Sequence, residues 1–355
     1  MTAPRLTYLW ICLAIVCSLQ QTNAQTTENK SEQQITLPTE NDHIFNGEGD
    51  KFYMYVYRNF EDKQSQPWSG GTYGFVRNMK RTEDGVIGTR FHEGIDIKPL
   101  KRDRAYKPLD EIKSIASGTV AYVNASSSRS NYGKYVVIEH LWECGPIYSL
   151  YAHLATISVQ VGEPIQQGQI IGIMGYTGSG LNKDRSHLHL ELNLMLSEKF
   201  TPWHQKHFGG TNYHGIHNGI NMAGLDIGGY YITQKKNSSL TIPQFIKTQQ
   251  IYYKITIPRK QKGKDLSILR RYPWLAQSTD KSPSWEISFT ASGLPVAITP
   301  SQRETSSPRV TFVKPCRSQH SYHTKGFLTG TGNRASLSNR GKRFIELIAE
   351  TFVSE

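Results

Sequence analysis

Three short groups of residues carry the chemistry this chain could perform: His92-Glu93-Gly94-Ile95-Asp96, Tyr151-Ala152-His153-Leu154 and His187-Leu188-His189-Leu190-Glu191. Imidazoles and carboxylates are ligands for a borderline divalent cation, zinc above all. Two imidazoles and one carboxylate would leave one coordination position for water, the pattern of a catalytic rather than a structural zinc site. Zinc held in that way lowers the pKa of its water to roughly 7 and polarises a carbonyl. Two further histidines then remain to move protons. No helical His-Glu-x-x-His run occurs in the sequence, so the ligands must come from separate segments.

The elements that position these groups are legible in the spacing. Residues 186–193 alternate, with Leu188, Leu190 and Leu192 on one face and His187, His189 and Glu191 on the other, which is the period of a half-buried strand. His187 and His189 would then project from one side of a sheet, about 7 Å apart along the strand. Gly94, between His92 and Asp96, marks a turn needing positive φ that would fold both side chains toward one ion. Tyr151 and His153, two apart in the strand-like run 147–154, would share a face. From Ala116 to Asn193 short strands are punctuated by glycine with little helical periodicity, which predicts an all-β catalytic domain.

In this order, and with their flanks, these elements resemble the M23 family of metallopeptidases, the lysostaphin and LytM type that cleaves peptide bonds in bacterial peptidoglycan. The resemblance rests on His92-x-x-x-Asp96 within residues 88–97, on Tyr151-x-His153-Leu154, and on His187-x-His189 with Glu191 shortly after. Residues 118–123, 132–140 and 161–175 add matching strands and turns, and Gly74-Phe75-Val76-Arg77 resembles the turn that opens the family's catalytic domain. The likeness covers about residues 70–195. It implies a mainly β fold with a lysostaphin-like antiparallel β catalytic domain. It also implies one Zn2+ per site, held by His92, Asp96 and His189. His153 and His187 would stand beside the zinc-activated water as general base and transition-state stabiliser, with the division between them open. Glu191 shares their face and either orients a ligand or is simply solvated. Two stretches depart from the family pattern. Residues 178–186 are longer and more charged, and 96–118 look expanded, with Lys98, Lys101, Arg102, Arg104 and Lys107. Both are expected to border a substrate groove.

Residues 1–24 read as a secretory signal peptide: Arg5, a mostly apolar stretch from Leu6 to Leu19, then Thr22-Asn23-Ala24 before Gln25. The apolar stretch is too short and interrupted for a membrane span, and no later segment is apolar enough. The expected location is therefore secreted, periplasmic or in the cell envelope. The formal charge is +12, and Arg5 is the only charged residue of the first 24, so +11 remains after cleavage. Such a balance favours anionic envelope polymers, and no basic helix or stacking-aromatic motif points to nucleic acid. Of the four cysteines, Cys144 and Cys316 remain after cleavage. They are either a disulfide that staples the C-terminal region to the catalytic domain or two unrelated thiols.

Residues 25–50 read as a flexible linker, polar and free of aromatics up to Glu40. Residues 51–200 read as the M23-like zinc peptidase domain, with an aromatic-rich lead-in at 52–57 and 68–75 expected to pack in the core. Residues 201–280 read as a loop-rich extension of that domain, and 281–355 as a small β-rich or α+β accessory region. His204, His207, His214 and His217 have no recognisable ligand spacing and read as part of a cleft wall. Residues 230–232, 251–257, 285–290 and 309–313 look like strands. Residues 339–352 form an amphipathic helical pattern with Phe344, Ile345, Ile348 and Phe352 on one side. The function expected is a secreted zinc-dependent endopeptidase that hydrolyses peptide cross-links of peptidoglycan. The alternatives are a non-catalytic LytM-type envelope factor that binds or regulates another wall hydrolase, and a peptidase acting on a Gly-rich protein such as a bacteriocin.

Overall fold

The period-two pattern of the central third of the chain folds into antiparallel strands. In the computed structural model, which describes residues 1, 34–259, 266–278 and 280–352, most of them form one sheet, while Leu154–Ile157 and Ile170–Met174 join Glu111–Lys113 in a second. The order of the first is Pro164–Ile165, Gly118–Asn124, Tyr135–Trp142, Gly145–Ala152, Leu188–Met195 and Met222–Gly224. The short strand Ile95–Ile97 also pairs with Leu188–Met195. The signal peptide beyond Met1, and residues 25–33 of the linker, lie outside the described residues.

The strand Leu188–Met195 is buried along its whole length, not half-buried as its alternation suggests. Leu188, Leu190, Leu192 and Leu194 face the main core with Val136, Ile138 and Tyr151. The opposite face of the sheet is covered by a second cluster that includes Tyr135, Val137, Tyr148 and Leu150. Polar residues on that face are buried because other aromatic and polar side chains close over them.

A four-stranded antiparallel sheet follows, in the order Pro295–Ser301, Ser284–Phe289, Tyr253–Pro258 and Arg309–Val313. The helix Asn339–Ala349, capped by Ser338 accepting from the Gly341 amide, buries Phe344, Ile345, Leu347 and Ile348. Its aromatic anchor Phe344 stacks on Phe327 with ring centroids 4.3 Å apart. One continuous core runs from Ile95 and Leu190 to Phe289 and Phe344, and Ser31–Glu355 forms a single compact unit.

Several expectations give way here. Residues 201–280 are not mainly loops, since they hold most of the helix Phe200–Phe208 and the helices Ile227–Lys236, Ile242–Lys247 and Ser267–Arg271. Tyr230 and Tyr231 lie in the second of these, which Asp226 caps by accepting from the Gly229 amide and which ends on Lys235 and Lys236. Those end signals favour helix, and three apolar residues alone cannot display a period. From Gln34 onward the expected linker is packed. Ile35 is 5% exposed, its amide donates to Gln234 Oε1 at 3.1 Å, and the Thr36 amide donates to the Ile115 carbonyl at 2.9 Å. In the aromatic lead-in, Phe52 and Tyr53 are buried but Tyr57 and Trp68 stay exposed. Cys144 and Cys316 are free thiols. No described helix is long and apolar enough to cross a membrane.

Candidate metal centre

Strand register brings the first and third groups together: His189 pairs with Asp96 on one side and with Ala152 on the other. His92 ends the hairpin strand Gly85–His92, and the chain turns at Gly94 directly into Ile95–Ile97. Gly94 is not among the positive-φ glycines, so the reason expected for it is wrong. A Cβ there would sit 2.2 Å from the Leu190 carbonyl oxygen and 2.8 Å from Glu191 Cγ. The residue is small so that the turn can lie against the His189 strand.

The ring orientations follow from hydrogen bonds. His92 Nδ1–H donates to the Thr72 carbonyl at 2.8 Å, which leaves Nε2 facing Asp96 Oδ1 at 3.0 Å. His189 is held in the opposite sense: Nε2–H donates to Glu191 Oε1 at 2.8 Å, and Nδ1 faces Asp96 Oδ1 at 3.0 Å. Arg77 donates to the other Asp96 oxygen at 2.5 Å. The ligand atoms of His92, Asp96 and His189 all lie within 4.8 Å of one another, and the three residues are buried.

Electrostatics matches this geometry. Burial opposes charge on Asp96, but His187, His92 and Arg77 outweigh it and hold the carboxyl well below its usual range. Burial also opposes charge on His189, yet hydrogen bonds to Asp96 and Glu191 raise its pKa to about 9. Burial lowers His92. A proton on His189 Nδ1 therefore ties the three groups together in the bare chain. A cation taking its place would meet two neutral imidazoles and a carboxylate, a donor set that fits zinc.

His153 does not share a face with Tyr151 as expected, because the strand ends at Ala152. His153 has φ +64°, a left-handed conformation that costs a non-glycine residue about 1–3 kcal/mol and persists only where its surroundings enforce it. Tyr151 stays in the core, its hydroxyl accepting from the Ile115 amide at 2.9 Å. His153 turns to the histidines, with ring centroids 4.8 Å from His187 and 5.9 Å from His189. Its Nδ1–H donates to the Thr177 carbonyl at 2.8 Å, and burial together with His187 and His189 pushes its pKa well down. His187 donates from Nδ1 to the Arg185 carbonyl at 2.7 Å, leaving Nε2 3.3 Å from Asp96 Oδ1.

Glu191 is 1% exposed and is not solvated. Besides His189, it accepts from the Tyr132 hydroxyl at 2.6 Å and from Asn193 Nδ2 at 3.0 Å. Tyr132, Thr72 and Arg77 are the positioning residues that sequence reasoning did not single out. Only Arg77 had a signal, as the last residue of the Gly-Phe-x-Arg turn.

His92, Asp96, His153, His187 and His189, with Arg77 and Tyr132, line an open groove of about 1500 Å³. Ser179, Gly180, Leu181 and Arg185 border it, as expected for 178–186. The basic residues of 98–107 do not. Arg102 instead braces the 178–186 loop, donating to the Lys183 carbonyl and to Ser186 Oγ, each at 2.8 Å. Of the four later histidines only His214 lines the groove. His207 pairs with Glu346 at 2.7 Å and His204 stacks on Phe208, so these four do not converge.

Fold and site together define an antiparallel β protein with a buried His–Asp–His group that could hold a metal ion. Residues 90–201 match peptidase family M23. Three solved structures are similar to it. One is a mutant catalytic domain of the prophage-encoded M23 protein EnpA from Enterococcus faecalis, at 26% identity over 35% of this chain and 86% of that one, TM-score 0.24. Another is a zinc-containing peptidase from Vibrio cholerae, at 25% identity over 40% of this chain and 36% of that one, TM-score 0.25. The third is the catalytic domain of the antimicrobial peptidase lysostaphin from Staphylococcus simulans, at 21% identity over 41% and 81%, TM-score 0.24. No curated protein sequence matches the chain.

Proposed function

We propose that this protein is a secreted zinc endopeptidase that hydrolyses the peptide cross-links of bacterial peptidoglycan. The observation that carries the reading is the convergence of His92, Asp96, His189, His153 and His187 in one open groove. His92, Asp96 and His189 would hold the ion, with Thr72 and Glu191 fixing which ring nitrogen each histidine presents. When bound, zinc supplies Lewis acidity toward a carbonyl oxygen and a water of pKa roughly 7.

The remaining work falls to the chain. His153, neutral through burial and its imidazole neighbours, would take a proton at Nε2 during attack and pass it to the leaving amine. His187, its Nδ1–H spent on Arg185, would donate from a protonated Nε2 to the oxygen on which charge develops. The left-handed backbone at His153 is strain held at the point where proton transfer needs a fixed imidazole. Arg90, Arg129, Arg185, Lys325, Arg340 and Arg343 line the groove, which favours a peptide that carries free carboxylates.

The test is digestion of purified cross-linked peptidoglycan by the chain from Gln25 onward, with and without a zinc chelator, read by mass spectrometry. The expected result is chelator-sensitive loss of cross-linked dimers. His189→Ala should lose zinc and turnover, and His153→Ala should keep zinc and lose turnover. No cleavage by zinc-loaded protein would sink the endopeptidase reading on this substrate. A zinc-free His153→Ala protein would overturn the division between ligands and proton carriers.

A further inference from the structure

A second cluster of ligand-type side chains lies outside the groove, where the C-terminal region meets the hairpin of Gly74–Thr82 and Gly85–His92. Asp84 sits in the hairpin turn. Its Oδ1 accepts from the Arg317 amide at 2.9 Å, and its Oδ2 accepts from the Ser318 amide at 2.8 Å and the Ser318 hydroxyl at 2.5 Å. The carboxylate is thereby pinned beside Cys316 and the short helix His320–His323. The donor atoms of Asp84, Cys316 and His323 all lie within 4.8 Å of one another. Asp84 Oδ2 and His323 Nε2 are 3.7 Å apart.

We propose that Asp84, Cys316 and His323 form a second divalent-metal site that fastens the C-terminal region to the hairpin carrying Arg77 and His92. Thiolate, imidazole and carboxylate are the donor types zinc takes, and the thiolate selects against magnesium and calcium. His320 acts as a positioning residue for the sulfur. Its Nε2–H donates to the Gly332 carbonyl at 3.1 Å, so the Nδ1 lone pair faces Cys316 Sγ at 3.3 Å and the Tyr252 hydroxyl at 3.1 Å. The Cys316 thiol lies 3.1 Å from the Ser318 carbonyl, and its proton leaves to solvent as the thiolate binds the cation. His323 Nε2 is 2.9 Å from Ser318 Oγ, a hydrogen bond that gives way when the nitrogen takes the metal. Lys325, two residues beyond His323, lines the groove and pairs with Glu93 at 2.8 Å, so a cation here would brace a groove wall. None of the three ligands belongs to the first centre, and the proposal stands without the peptidase reading.

The test uses the full chain, loaded with Zn2+ or Co2+ and desalted. Metal per chain is measured by mass spectrometry, and near-ultraviolet absorption reports thiolate-to-cobalt charge transfer. The first centre has no sulfur ligand, so such a band belongs to a thiolate site. The expected results are a band in the wild type and in His189→Ala and Cys144→Ser, and loss of the band with one metal equivalent in Cys316→Ser. If Cys316→Ser does not fold, His323→Gln should lose the same band. One metal per chain together with the band would support this site while counting against the first. No band in the cobalt-loaded wild type, or metal content unchanged by Cys316→Ser, would overturn the proposal and leave the cluster as a hydrogen-bonded latch.

Discussion

Glu191→Gln separates the charge behind His189 from the shape of the site. In the wild type Glu191 Oε1 accepts from His189 Nε2–H and from the Tyr132 hydroxyl, so a full negative charge backs the ring whose Nδ1 faces Asp96. A glutamine keeps the volume, and its Oε1 can still accept both bonds. Its amide nitrogen would meet the donor Nδ2 of Asn193, but Asn193 Oδ1 is buried without a hydrogen-bond partner, so an amide flip satisfies both. The fold should therefore survive. What is lost is the carboxylate that raises the basicity of the ligand, and removing such partners costs about 10–100-fold in metal affinity. That range corresponds to about 1.4–2.8 kcal/mol. The assay is competition of the zinc-loaded protein against a chromophoric chelator, with urea unfolding of the metal-free protein as the control for fold. Affinity within about twofold of wild type would refute the argument that Glu191 acts on the metal through His189. Loss of affinity accompanied by unfolding of the metal-free protein would refute it too, by making Glu191 a packing residue.

Two further outcomes follow from buried features. His140 is fully buried, donating from Nδ1 to the Ser117 carbonyl, and burial lowers its pKa to about 4. The unfolded value is near 6.5, so the folded state binds fewer protons between these values. The stability His140 contributes is complete above about pH 6.5 and is lost as pH falls toward 4, by about 2 kcal/mol at pH 5 and about 3 at pH 4. Denaturant unfolding of the zinc-loaded protein should show this loss, His140→Gln should flatten it, and an unchanged pH slope in the variant would contradict it. Gly94→Ala places a methyl 2.2 Å from the Leu190 carbonyl oxygen, so the turn must move off the His189 strand. It should cost about 1–3 kcal/mol in unfolding free energy and weaken zinc binding, and a variant with wild-type stability and affinity would show that the contact is not limiting.

The grouping of His92, Asp96 and His189 was legible because its signal is local: residue types, short spacings and order along the chain. The sheet was legible because short strand-like runs punctuated by glycine, with little helical periodicity, recur from Ala116 to Asn193. What was hidden depends on residues arriving from elsewhere or on single backbone angles. The strand reading of 147–154 gave Tyr151 and His153 one face, because a left-handed residue at 153 leaves no trace in an alternation pattern. Glu191 could not be told from a solvated glutamate, because Tyr132 reaches it from 59 residues away. Gly94 was visible as a glycine with a reason, but the reason is a strand nearly a hundred residues later. The Cys316-x-x-x-His320-x-x-His323 spacing stood in the sequence, yet its acidic partner Asp84 is 234 residues from Ser318, which bonds it.

The contacts of the hairpin assign the C-terminal region a positioning role. Three of them lie along one structural unit: Asp84 at its turn accepts from the backbone at 317 and 318, Lys80 lies over the Tyr322 ring at 4.1 Å, and Glu93 just beyond its end pairs with Lys325. The two charged contacts outside the turn are partly exposed and each is worth about 1 kcal/mol or less. Their arrangement matters more than their sum. Arg77 and His92 occupy opposite strands of the hairpin, and both act on Asp96. A two-stranded hairpin is at best marginally stable alone, and a shift of about 1 Å at a ligand is enough to spoil a preorganised site. Contacts at the turn, the middle and the base remove the rocking motion that would produce such a shift.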